Sequence, residues 1–444
     1  MSDESARPES THELAGTAGP VGESERLDAL DALRGVAVLG ILLMNIYAFA
    51  MPFPAYANPL LMGGLEWWNV GTWTVTHILV DQKFLSIFAM LFGAGLVLMA
   101  ERAAARGTQF GRIYYRRSFW LLLIGAAHGY LIWFGDILFH YALMGMLIYP
   151  LRNKKPKTLI IIACCLLPVA LLLNYGNAIQ MEQSLPEIAE IQALQEAGGE
   201  LSEEQSAKLE EWEVMRPFVF PTQEDLQKDV DAYLGSYGEI VVHRAPVVIM
   251  FQVFVTLFVI IWRVGGLMLI GMALMKLDVF SGKRSTRFYR NMMLLGYLVG
   301  LPLTTVSAMQ MFSHEFDGLY VMRVGFVPNY FGSIAVAFGH IGLVMLIFKS
   351  GVLQKLMHSF AAVGRMALTN YLLHSIILTT VFYGYGLGLY GRIPRLWQMA
   401  FVAAVFALQL VASPIWLRRY RFGPAEWLWR SLTYWRRQPM RRAA

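Results

Sequence analysis

Residues 27–50 read LDALDALRGVAVLGILLMNIYAFA. Two acids and one arginine fall in the first eight positions, and an uncharged apolar run follows to the end. A run of that kind is what a helix needs to cross the ~30 Å hydrocarbon layer of a bilayer, about 20 residues at 1.5 Å each. The pattern recurs along the chain. Apolar runs fall near 29–50, 73–100, 118–134, 136–152, 158–178, 246–275, 291–312, 329–348, 363–384 and 396–417. They predict an all-α, polytopic integral membrane helical bundle of about ten transmembrane helices. The third and fourth runs are short and meet at Phe134-Gly135-Asp136, so they form a helical hairpin or two strongly tilted helices.

Composition agrees. Of 444 residues, 56% are hydrophobic and 15% charged, where soluble domains hold about 45–50% and 25%. Mean hydropathy is +0.47. These values exclude a soluble multidomain enzyme, a disulfide scaffold and a disordered chain. Cys164 and Cys165 are adjacent in one apolar run, too poorly placed for a disulfide, and read as small packing residues. No Cys/His metal spacing, Walker loop, dinucleotide-binding G-x-G-x-x-G or G-x-S-x-G elbow occurs, and no metal is expected.

Charge orients the bundle. With the N-terminus in the cytoplasm, most of the 37 Lys and Arg residues fall in inside loops, among them Arg102, Arg106, Arg117, Arg421 and Arg430. The net charge of +6 thus follows the membrane and does not call for nucleic acid. An even span count puts both termini inside. The expected organisation is a disordered cytoplasmic tail (1–26), an N-terminal transmembrane bundle (27–178), an acidic extracytoplasmic segment (179–245), a C-terminal transmembrane bundle (246–417) and a basic, aromatic interfacial tail (418–444). Within the acidic segment, the apolar spacing of Ile188, Ile191, Leu194, Leu209 and Trp212 suits one or two amphipathic helices capping the outer face.

Ionisable groups at membrane depth are expensive, about 2.5–3.5 kcal/mol each on insertion scales, and mark where function is to be sought. Asp31 and Arg34 share a helix face, and Asn45 follows eleven residues on. His77 and Asp81 are spaced i, i+4, and Lys83 lies nearby on another face as a counter-ion or anion contact. Asp136 and His140 repeat the i, i+4 pairing, and Gly125 and Gly129 allow close helix approach around His128. The depths of these groups match, so three histidines and two carboxylates are expected to converge on a general base. Arg263 needs an aqueous cavity or an anionic partner, either a phosphate group or Asp81 or Asp136. Asn370 and His374 again share a face, with Arg365 at the helix start.

Several strings resemble the YeiB-like membrane proteins of domain-of-unknown-function 418. They are the first helix from Leu27 to Ile46, Asp81-Gln82-Lys83-Phe84 with Leu91-Phe92-Gly93-Ala94-Gly95, and Gly135-Asp136-Ile137-Leu138 with Tyr141-Ala142-Leu143. Gly364-Arg365-Met366-Ala367-Leu368-Thr369-Asn370-Tyr371 and Gly423-Pro424-Ala425-Glu426-Trp427-Leu428-Trp429-Arg430 complete the set. More distantly, the chain is similar to transmembrane acyltransferases, namely bacterial surface-sugar O-acyltransferases and heparan-glucosaminide acetyltransferase. The surface-sugar enzymes carry Arg and His eleven positions apart on the first helix. Here Arg34 matches and Asn45 stands at the histidine position.

The resemblance implies acyl transfer from a cytoplasmic acyl-CoA donor to a small-molecule, lipid or sugar acceptor at the outer face of a bacterial-type inner (plasma) membrane. The base would be His128 first, with Asp136, His77, Asp81 and His140 as the other catalytic candidates. Arg34, Asn45, Lys83, Arg263, Arg365 and Asn370 are the substrate or anion contacts. Membrane lipids are expected partners, nucleic acid is not, and oligomerisation stays open. The alternative is a proton-coupled transporter or lipid flippase, since intramembrane Asp/His pairs also relay protons. A membrane protein without chemistry is the third reading.

Overall fold

The computed structural model describes residues 28–442; the expected disordered tail 1–26 lies outside them. The helices run α1 (Asp28–Ala50), α2 (Pro54–Ala57), α3 (Trp67–Leu79), α4 (Lys83–Ala105), α5 (Phe110–Leu131), α6 (Leu138–Ile148), α7 (Pro156–Glu196), α8 (Glu203–Val219) and α9 (Gln223–Tyr233). They continue as α10 (Tyr237–Met250), α11 (Ile261–Lys276), α12 (Thr286–Ser313), α13 (Gly318–Tyr320), α14 (Val327–Ser350), α15 (Gln354–Arg365), α16 (Ala367–Phe382), α17 (Arg395–Arg419) and α18 (Pro424–Tyr434). No strand occurs among the described residues apart from one bridge between Tyr420 and Arg441. The protein is an all-α, multi-pass membrane bundle.

All ten apolar runs fall mainly on helix, and among the described residues seven helical stretches are long and apolar enough to cross a membrane. The exceptions have plain causes. The first turns of α5 carry Arg112, Arg116 and Arg117, α6 has 11 residues, and α16 has 16. Large apolar side chains such as Leu172, Leu298 and Val411 point outward from α7, α12 and α17, as suits lipid. Cys164 and Cys165, read as small packing residues, are exposed on α7 as well.

The central element is α1, with 18 of its 23 residues buried. Small residues let it sit there. A Cβ on Gly35 would run into the Phe360 carbonyl of α15, and one on Gly364 into the Asp31 carbonyl of α1. The Gly93 stretch behaves likewise, since a Cβ on Gly93 would strike the Met268 carbonyl of α11. Backbones approach this closely in membranes where packing, rather than hydrophobicity, holds helices together.

Three departures from simple spans shape the interior. The expected single helix 73–100 breaks at Val80–Gln82, where Gln82 takes a left-handed φ of 64°. A π-helical stretch, Phe251–Ile260, joins α10 to α11. The chain bends again at Met366, between α15 and α16. The Glu426 carboxylate of α18 receives Leu368 N (2.6 Å), Thr369 N (3.1 Å) and Thr369 Oγ1 (2.5 Å), and so caps the start of α16.

In the acidic segment, α7 continues to Glu196, and α8 and α9 follow with capping boxes at Ser202 and Thr222. Ile188, Ile191 and Leu209 are buried. Tyr233 of α9 accepts a hydrogen bond from Gly384 N (2.9 Å), and Asp229 accepts from Tyr390 OH (2.8 Å), so the segment seats on the loop after α16.

Candidate functional site

Among the described residues, a cavity of about 300 Å³ opens between α1, α4, α5, α6, α16 and α18. Seven arginines line it: Arg34, Arg102, Arg106, Arg117, Arg365, Arg421 and Arg430. The acids on its lining are Asp31 and Glu426, and both are engaged. Arg34 donates to Asp31 at 2.7 Å, and Glu426 caps α16. Arg117 lies 3.6 Å above the Trp429 ring, whose Nε1 donates to the Arg117 carbonyl at 2.8 Å. The remaining wall is apolar, from Phe88, Leu91 and Phe92 of α4 to Leu138 and Tyr141 of α6. A strongly basic mouth above an apolar interior suits an anionic group joined to an apolar or extended arm.

The lining faces point further inward. On α5 the cavity touches Tyr114, Arg117, Ser118 and Leu121; the same helical face continues to Gly125 and His128. On α16 it touches Leu368 and Tyr371, and the face continues to Ser375 one turn on. On α6 it touches Leu138, two residues past Asp136. These three extensions meet. Asp136 Oδ1 lies 2.8 Å from His128 Nδ1, and His128 Nε2 lies 2.8 Å from Ser375 Oγ. Asp136 Oδ2 accepts from Phe139 N at 2.7 Å and caps α6. Gly125 makes room, since a Cβ there would sit 2.8 Å from Asp136 Oδ2.

Tyr371 stands between the cavity and this line. Its ring centroid is 5.3 Å from that of His128, and its hydroxyl bridges Gly135 O (3.1 Å) and Ile137 N (3.2 Å). His128, Asp136 and Ser375 are all buried. Ser375 carries no signal in the sequence beyond sitting one residue past His374. Only folding pairs it with a histidine 247 positions away.

The other expected site residues go elsewhere. The Asp136 carboxylate pairs with His128 and not with His140, whose Nδ1 and Nε2 instead meet the carbonyls of Asp136 (3.0 Å) and Phe251 (3.1 Å). The irregular 132–137 turn breaks the helical i, i+4 geometry that would have joined them. His77, Asp81 and Lys83 form a separate network and do not bond to the His128 line. Lys83 Nζ donates to His77 O (2.6 Å) and Asn329 Oδ1 (2.7 Å), while Asn329 Nδ2 (2.9 Å) and Tyr56 OH (3.1 Å) donate to Asp81. His77 Nδ1 is 3.5 Å from Asp81 Oδ2, and its ring stacks on Trp73 at 4.6 Å. Arg263 finds neither acid as a hydrogen-bond partner. It donates to Tyr330 O (3.1 Å) and Ser333 Oγ (2.8 Å) and lies 4.1 Å over the Tyr330 ring. Asn370 and His374 face α17, bonding Ser413 (3.2 Å) and Gln409 (2.9 Å). Asn45 is half-buried on α1 and does not line the cavity. Of the six expected anion contacts, Arg34 and Arg365 line it.

The family described as "Protein of unknown function (DUF418)" matches residues 274–436, from the last turn of α11 through α18. Over 433 residues the chain is 31% identical to "Uncharacterized protein YxaH" of Bacillus subtilis (strain 168), covering 95% of this chain and 97% of that one. It is 32% identical over 420 residues to "Uncharacterized protein YeiB" of Escherichia coli (strain K12), covering 92% and 96%. The chain belongs to the YeiB-like DUF418 family. A third relative, an "Uncharacterized 39.9 kDa protein in amylase 3'region" of Bacillus acidopullulyticus, is 25% identical over 423 residues. No solved structure matches. In this DUF418 protein the family-model match holds α16 and α18, while His128 and Asp136 come from α5 and the turn before α6, within the full-length likeness to YxaH and YeiB.

Proposed function

We propose that this DUF418 protein is a membrane acyltransferase that takes an acyl group from an acyl-CoA at its arginine-lined mouth and passes it to a hydroxyl or amine on a small molecule, sugar or lipid. The observation that carries this reading is the continuation of three cavity-lining helix faces into the His128–Asp136 pair. Arginines bind phosphate and pyrophosphate by paired, charge-assisted hydrogen bonds, and seven of them surround the opening. His128 lies eleven residues beyond Arg117 on α5, about 16 Å along the axis at 1.5 Å per residue. A donor whose phosphates sit at the arginines would therefore extend its thioester inward. There His128, held by the Asp136 carboxylate, takes the proton of the attacking group, and the thiolate leaves. The charge pattern supports a topology with the arginine end in the cytoplasm of a bacterial-type inner membrane and the acidic α8–α9 segment outside.

Calorimetry of purified full-length protein with acetyl-CoA tests this. Binding should weaken as salt rises from 0.05 to 0.5 M, on the order of tenfold or more by counter-ion screening. The paired change Arg102→Gln with Arg106→Gln should cost about tenfold more, as expected for one lost charge-assisted bond. Absence of binding, or binding indifferent to salt and to the paired change, would remove the reading. Proton-coupled uptake in proteoliposomes without acyl transfer would put a transporter in its place.

A further inference from the structure

We infer that Ser375 is a nucleophile that carries the acyl group as an ester, with His128 as its base and Asp136 as the positioning carboxylate. This inference rests on the acyl-transfer reading above. The hydrogen-bond directions support it. An ionised carboxylate only accepts, so the 2.8 Å contact of Asp136 Oδ1 places the histidine hydrogen on Nδ1. The neutral ring then offers a bare Nε2, and Ser375 Oγ, 2.8 Å away, donates to it.

Serine and threonine in helices ordinarily turn the hydroxyl back onto a carbonyl one turn earlier. Thr380, on the same α16, does so to Ile376 O at 2.7 Å, and Ser86 on α4 does so to Gln82 O at 2.6 Å. Among the described residues, the Ser375 hydroxyl bonds to His128 instead. It lies one turn past Tyr371 on the face that lines the cavity, so the arm of a ligand seated among the arginines leads toward it past one aromatic ring.

The chemistry balances. Ser375 Oγ attacks the thioester carbonyl carbon as His128 Nε2 takes the hydroxyl proton. The carbon–sulfur bond breaks, and the thiolate leaves with that proton as free thiol. An acceptor hydroxyl or amine then gives its proton to His128 and attacks the ester carbonyl carbon. The ester bond breaks, and Ser375 regains its proton.

The test uses full-length protein in detergent micelles and two reagents. An alkyl fluorophosphonate phosphonylates an activated serine Oγ with loss of fluoride. Acetyl-CoA bearing a labelled acetyl group reports the ester itself after acid quench. Mass spectrometry should find each adduct on the peptide holding Ser375. Ser375→Ala should abolish both while keeping acetyl-CoA affinity, which shows that the variant is folded. His128→Ala should slow labelling at least 100-fold, and Asp136→Asn by a similar factor. Turnover of acetyl-CoA at the wild-type rate by Ser375→Ala, with no adduct from either reagent on the wild type, would overturn the inference and leave direct transfer. A fluorophosphonate adduct on Ser375 without acetyl-CoA binding would keep the nucleophile and overturn the thioester as its donor. Neither binding nor adduct would overturn both readings.

Discussion

Changing Asp136 to Ala removes two hydrogen bonds from one buried carboxylate. The bond to His128 Nδ1 (2.8 Å) is charge-assisted, and such bonds contribute about 1.5–3 kcal/mol net. The bond from Phe139 N (2.7 Å) caps α6, and a lost cap costs about 1 kcal/mol. The orphaned imidazole N–H then sits in a site 2% exposed. The two bonds sum to about 2.5–4 kcal/mol, and the unpaired N–H adds its desolvation cost to that. Asp136→Asn keeps an acceptor oxygen and should lose about half as much. Reversible unfolding in mixed micelles measures both, and a double-mutant cycle with His128→Ala isolates the pair. The expected coupling is at least about 1.5 kcal/mol. Additivity within about 0.5 kcal/mol would show that the contact carries no energy and would refute the reasoning.

Three further outcomes are expected. Asn329→Ala leaves Lys83 and Asp81 without the side chain that bridges them, so it should destabilise by about 3–5 kcal/mol yet leave acetyl-CoA affinity unchanged; a stability within about 1 kcal/mol of wild type would contradict the network. Gly364→Leu drives a side chain into the α1 backbone and should cost at least about 3 kcal/mol, the upper end for overpacking, read as loss of monodisperse protein on gel filtration. Asp225 accepts two bonds from Arg216 (2.8 and 2.7 Å), which hold its carboxyl well below the usual carboxylate range. Its contribution is therefore complete above about pH 4 and is lost as pH falls through the lowered folded value. Amide exchange across α8 and α9 should be slower in wild type than in Asp225→Asn at pH 6, with the gap narrowing in acid. Equal exchange at pH 6 would refute the claim.

The bundle was legible because membrane spans are written in local composition: each apolar run from 29–50 through 396–417 falls mainly on helix. The arginine cluster was half legible. Arg102, Arg106, Arg117, Arg421 and Arg430 stood out as inside charges, but sequence gave no reason for them to share one opening with Arg34 and Arg365. Pairing between helices was not legible. The i, i+4 rule predicts contacts within a regular helix, and Asp136 lies in an irregular turn while Asp81 lies in the α3–α4 break. Asp136 therefore escapes the helical register and bonds a histidine on another helix, while Asp81 stays 3.5 Å from His77 at i, i+4 and is also bound by Asn329, 248 positions away.

The polar groups at depth sort by how fully the protein itself satisfies them and by what they adjoin. Lys83, Asp81 and Asn329 bind one another and a backbone carbonyl, and Arg263 is held by Tyr330 and Ser333. Neither group lines the arginine cavity. Each bond such a group makes inside the protein offsets its burial cost, and a set saturated in this way fixes helix positions. His128 differs in kind. One ring nitrogen is committed to an acid and the other to a hydroxyl, the arrangement in which a proton can move without any heavy atom travelling far. It also lies behind a single tyrosine from an opening around which arginines gather. A purely structural histidine would gain nothing from that neighbourhood, because its bonds would be as strong anywhere else in the bundle. The position therefore argues for chemistry more strongly than the burial does.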